Sequence, residues 1–146
     1  MRVRITIIAL FTALSLLGFG LKGDAELSRL IDQAKSAPIE QQPRVCAEIA
    51  ELELEVADQL YSADQVEKAR AAVGEVVSYA DKASAASIQS GKRLKDTEIA
   101  MRKMSVKLRD MKRKLTFEDQ APLQAASDHL ETLRTGLLAH MFKKKK

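Results

Sequence analysis
The chain has no tryptophan, two tyrosines and four phenylalanines, so it lacks the aromatic platforms on which unpaired nucleic-acid bases stack. A single cysteine, Cys46, excludes an internal disulfide and a cysteine-built metal cluster. Three prolines and six glycines in 146 residues are too few for a disordered or linker-rich chain. No glycine-rich phosphate loop is present, no Ser or Cys stands beside a positioned base, and no carboxylate pair stands apart from ordinary helix-surface acids. Those absences point to a protein that is not an enzyme and holds no cofactor.

One long apolar run exists, and it is at the start. "MRVRITIIALFTALSLLGFGLKGDA" has a basic beginning (Arg2, Arg4), a charge-free stretch from Ile5 to Leu21, and small residues at Gly23 and Ala25. This is the three-part pattern of a secretory signal peptide over residues 1–25, cleaved after Ala25; the alternative is an uncleaved membrane anchor. Either way the remainder is exported, to the periplasm or the surface of a bacterial cell envelope.

Beyond the leader, 21 basic residues face 19 acidic ones, so the global charge gives no case for a nucleic-acid partner. The charge is segmented instead. Residues 26–91 carry six basic and twelve acidic side chains, residues 92–115 ten and three, and residues 116–142 one and four. A basic stretch between acidic ones is expected to be neutralised by its own chain.

Apolar residues recur three and four apart almost throughout, which predicts an all-α fold for residues 26–142. Leu27, Leu30, Ile31 and Ala34 mark a short helix (about 26–37) that Pro38 ends, and Pro43 opens a second (43–60) with the stripe Val45, Ile49, Leu52, Val56 and Leu60. Ser62 is suited to cap the next helix, with Tyr61 stapled onto Val66. From Val66 to Leu115 the three-four alternation never skips, which predicts one helix over about 63–115, roughly 75 Å long. The competing reading ends it at Gly91 as a C-terminal cap. "TFEDQAP" turns the chain into a last helix (119–142) with Leu123, Ala126, Leu130, Leu133, Leu137 and Met141 on one face. The expected shape is elongated: two antiparallel hairpins end to end, sharing the long helix as a spine.

Val56, Ala57, Leu60, Val66, Ala69, Val73 and Val76, within residues 54–81, resemble the packing positions of a degenerate tetratricopeptide-repeat hairpin. No second copy is visible. The resemblance implies protein or peptide binding on a helical scaffold.

Several residues invite a functional reading. Ile99 and Val106 form a second apolar stripe opposite Met101, Met104 and Leu108, to be covered by the first helix or by another chain. Lys95, Arg102 and Arg109, seven apart, suit exposed ion pairs with the acidic helices. Met101, Met104 and Met111 suit a hydrophobic seam, or copper(I) through their thioethers. Cys46 reads as a buried thiol, with an intermolecular disulfide as the alternative. His129 and His140, eleven apart, show no acidic partner in the sequence. Lys143, Lys144, Lys145 and Lys146 follow Met141 and Phe142, a composition suited to an anionic membrane surface. The expectation is an interaction or scaffold module, with an unnamed protein partner or a second copy. The alternatives are a bundle that binds a metal or other ligand, and a peripheral protein held by its lysine tail.

Overall fold
A computed structural model describes residues 20–143. The apolar run assigned to the signal peptide or anchor, up to residue 19, and the lysines at 144–146 lie outside the described residues. Among the described residues there are five α-helices: α1 (Gly20–Ser36), α2 (Gln42–Ser62), α3 (Val66–Ser90), α4 (Leu94–Arg113) and α5 (Gln120–Lys143), with a 3₁₀ turn at Phe117–Asp119 before the last. The fold is all-α, with no strand among the described residues. The expected cleavage point after Ala25 falls inside α1, ahead of Leu30, the first buried side chain described.

Each helix boundary has a local cause. Beyond α1, Gln42 Nε2 donates to the carbonyls of Ala34 (2.6 Å) and Ala37 (2.8 Å), satisfying acceptors that a helix end leaves open. Pro43 occupies the first turn of α2. At the far end Asp64 takes a left-handed conformation (φ 59°) and the Gln65 amide donates to Leu60 O at 2.9 Å, a Schellman-type stop. The expected Ser62 cap is not made. Its hydroxyl donates to Asp58 O at 2.9 Å, so Ser62 closes α2 instead of opening α3.

The 63–115 spine is corrected: α3 stops at Ser90. Gly91 is left-handed (φ 68°) and its amide donates to Ser87 O at 2.9 Å; two residues later Arg93 is left-handed as well (φ 54°). Two such residues within three reverse the chain. Ser87 and Thr97, both buried, hold the reversal from inside. Ser87 Oγ donates to Lys92 O (2.9 Å), which leaves Thr97 Oγ1 to donate to Ser87 Oγ (2.8 Å). The unbroken apolar phase misled because it records which face is apolar and is blind to direction. Positions 69, 73, 76, 80, 83 and 87 of α3 and 97, 101, 104, 108 and 111 of α4 are all buried, on two antiparallel helices.

The hairpins therefore lie side by side instead of end to end. In one hairpin α2 packs along α3, and in the other α4 packs along α5; α2 lies beside α4 and α3 beside α5. Cross-hairpin contacts share one register: Asp58 meets Lys107, Arg70 meets Asp119 and Asp81 meets His129, separations of 49, 49 and 48 residues. Corresponding helices of the two hairpins thus run parallel, and the 91–93 link crosses the diagonal. Stacking gives one shared core, from Ala50 and Ala57 through Val76 and Ala80 to Met104, Leu108, Leu123 and Leu130. End-to-end hairpins would have left each with half of it.

The first helix, α1, covers the outer side of α2, with Leu30 buried against Val45 and Ile49 and Tyr79 of α3 close by. Beneath it, Glu53 is 9% exposed; burial pushes its carboxyl above the ordinary range, and Glu75 and Asp24 add repulsion. A raised carboxyl stabilises the fold fully below its unfolded value, about pH 4.3, and that contribution is lost as pH rises through the folded value. Glu53→Gln is accordingly expected to raise Tm by roughly 2 to 5 °C at pH 7.5 and by nothing at pH 4. Paired melting curves at the two pH values would check it, and an equal effect at both would refute the charge argument.

Candidate functional site
The two faces of the hairpin stack differ. On the α3/α5 side, Arg70 Nη2 reaches Asp119 Oδ1 (3.0 Å) and His129 Nε2 reaches Asp81 Oδ1 (2.6 Å), so polar side chains bridge the two hairpins. On the α2/α4 side the helices part, and two adjoining hollows of about 170 Å³ and 320 Å³ open between them. Ala47 of α2 and Ala100 of α4 line the first, while Leu54 and Met104 floor the second; Glu51 borders both. In the first hollow the small side chains of Ala47 and Ala100 leave the gap unfilled.

The groove is lined by charges of both signs. In the second hollow Glu51 and Glu55 of α2 stand opposite Lys103 and Lys107 of α4, whereas the first mixes them, with Arg44 and Glu48 on the α2 side and Arg93 and Asp96 on the α4 side. Lys107 Nζ holds Asp58 Oδ2 at 2.6 Å and closes the upper end. Burial holds the Glu51 carboxyl above the ordinary range and Glu48 and Glu55 push the same way, against a downward pull from Lys103. A row of carboxylates that repel one another is a surface that gains from an incoming cation. The groove can accept an elongated segment carrying both signs of charge, with small apolar groups against the alanines.

Most residues singled out in the sequence lie elsewhere. Lys95, Ile99, Arg102 and Val106 follow one another at four, three and four residues along the outward side of α4; Val106 is 42% exposed and Ile99 half-buried. The first helix does not cover that stripe, since α1 packs on α2. Arg109 makes the expected cross-helix pair, with Glu131 of α5 at 3.5 Å. Met101, Met104 and Met111 are at most 2% exposed and lie within the shared core, among Leu108, Leu123 and Leu130. Cys46 is buried and free, its thiol pushed up by burial with a smaller downward pull from Lys82. His140 is exposed, whereas His129 has the Asp81 partner that a separation of 48 residues hid from the sequence.

No protein-family model, curated protein or solved structure matches this chain.

A second polar feature joins α4 to α5. Glu98, 8% exposed, receives Arg134 Nε at 2.6 Å, and Arg134 Nη1 also donates to Glu131 (3.2 Å). Glu131 further accepts from the Ser105 hydroxyl, and that bond, helped by the Arg134 and Arg109 charges, holds its carboxyl below the usual range. Sequence reasoning missed both this ladder and the groove. Ala47 and Ala100 carry no chemistry of their own, and the residues of the ladder look like ordinary surface charge until the hairpin closes.

Proposed function
We propose that this chain is a non-enzymatic protein, exported to the cell envelope, that binds a segment of another protein in the α2/α4 groove. The observation that carries the reading is the groove itself, a depression floored by alanine, leucine and methionine and bordered by charges of both signs. The parallel stacking of two hairpins supports it, since helical-hairpin repeats create binding surfaces along their first helices by stacking in register. The basic, apolar and small-residue order of the leader supports export.

The ligand this groove suits is a peptide segment whose basic residues face Glu48, Glu51 and Glu55 and whose acidic residues face Lys103 and Lys107. A photo-crosslinking residue at Glu48 is expected to capture a discrete envelope protein. The same group at Lys68, an exposed position on α3, should not. Ala47→Arg combined with Ala100→Gln should lower that capture at least tenfold, about 1.4 kcal/mol of binding, with the helical content retained. Equal capture from both positions, or capture indifferent to the filled groove, would sink the proposal.

A further inference from the structure
The fold gathers at one end of the bundle a set of cations that lie far apart in the chain. Lys35 is in the last turn of α1, Arg44 in the first turn of α2, Lys92 and Arg93 in the link between hairpins, Lys95 at the start of α4 and Lys143 at the end of α5. All six are exposed. Arg44 and Arg93 border the same hollow, which fixes those two elements at one level. The Asp81–His129 register places residue 138 beside Ser90, so the last five residues of α5 extend about 7.5 Å beyond α3, level with the link.

Four acids share this end. Asp32 is held by Lys35 (3.3 Å), Asp96 by Arg93 (3.4 Å), and Glu40 and Glu48 are exposed, Glu48 on the hollow that Arg44 and Arg93 border. The surplus is positive, and the chain continues from here into Lys144, Lys145 and Lys146. Two apolar side chains stand among the cations, Ile39 at 37% and Phe142 at 68% exposure. The opposite end is balanced, with Arg113 held by Asp110 (3.2 Å) and Arg70 by Glu67 and Asp119 (both 3.0 Å). It carries an exposed aromatic too, Phe117 at 89%, but no cationic surplus around it.

We propose that this basic end docks on an anionic phospholipid bilayer, with Phe142 in the headgroup region and the link cations and Lys143 against the lipid phosphates. A surface combining spread cations with an exposed aromatic fits a planar array of negative headgroups, where each Lys or Arg adds about fivefold to partitioning and an apolar side chain seats the contact. The sequence pointed only to the terminal lysines. The fold adds described cations from four helices and the link, and docking end-on leaves the second hollow of the α2/α4 groove, floored by Leu54 and Met104, clear of the lipid.

The absence of tryptophan permits a test specific to each end of the full chain. Phe142→Trp creates a lone fluorophore at the basic end, and Phe117→Trp one at the other. Vesicles of phosphatidylcholine with phosphatidylglycerol are expected to shift the emission of the Phe142→Trp chain to the blue, while vesicles of phosphatidylcholine alone leave it unchanged. Neither kind of vesicle should shift the Phe117→Trp chain. Adding Lys92→Gln and Lys95→Gln to the Phe142→Trp chain should raise the half-saturating lipid concentration about 10- to 30-fold, with the tail intact. An unshifted fluorophore at position 142, an equal shift at both ends, or a midpoint insensitive to the link cations would overturn the proposal. The last result would assign the contact to the tail alone.

Discussion

Arg134→Ala is expected to lower Tm by roughly 4 to 8 °C, more than the loss of a surface arginine normally does. The guanidinium serves two carboxylates, and one of them, Glu98, is almost closed to solvent. Removing Arg134 leaves a buried negative charge whose lost hydration nothing replaces, and that uncompensated charge is the larger part of the penalty. The double variant Glu98→Gln, Arg134→Met should recover most of the loss, because it removes the charge together with its partner. Melting curves of the three proteins would decide it. A single variant within about 2 °C of the parent, the shift typical of surface substitutions, would mean that the ladder is only a solvated surface feature.

Leu108→Ala is expected to cost about 2 to 5 kcal/mol. Leu108 is fully buried in the shared core, which also holds Ala57 and Leu130 from helices of both hairpins. Neighbours drawn from both hairpins leave few routes for collapse into the space it vacates. The elongated arrangement expected from the periodicity would place this residue in a two-helix seam, where truncation is relieved more easily. Leu108→Ala combined with Ala57→Leu should then show coupling above about 0.5 kcal/mol in a double-mutant cycle, since both residues belong to one core. Strict additivity would indicate that the hairpins do not share it.

The faces of the helices were legible from the chain because burial acts on each helix separately. Val45 and Ile49 on α2, Val73 and Val76 on α3, and Leu123 and Leu130 on α5 all lie where a period near 3.6 puts them. Direction was not legible in the same way. Ser87, Ser90, Leu94 and Thr97 preserve the apolar phase across the link, and the same spacing serves a continuous helix or a reversal. The local evidence for reversal was chemical: Gly91 at the weakest part of the stripe, with hydroxyl residues in place of hydrocarbon on either side.

The groove was illegible for a different reason. A depression between α2 and α4 depends on which helices become neighbours, and that followed only once the link crossed the diagonal. The acidic run Glu48, Glu51, Glu53 and Glu55 carries no sign in the sequence of which members are covered. In the fold it divides, with Glu53 turned beneath α1 while the other three line the groove rim. The distribution of charge along the sequence was more informative, and Asp58–Lys107 and Glu131–Arg109 show the basic segment answered by acids on either side of it in the chain.

The three-residue link at 91–93 also bears on how the chain reaches its structure. Each hairpin is contiguous in sequence, so its helices meet by closing a short loop, a fast local search. Only the docking of one hairpin on the other requires distant segments to find each other. The tight link keeps them at a high effective concentration throughout. Lengthening it with flexible residues would dilute that encounter while leaving the packing between helices in place, so assembly would slow and the docked state would lose stability by the added closure entropy.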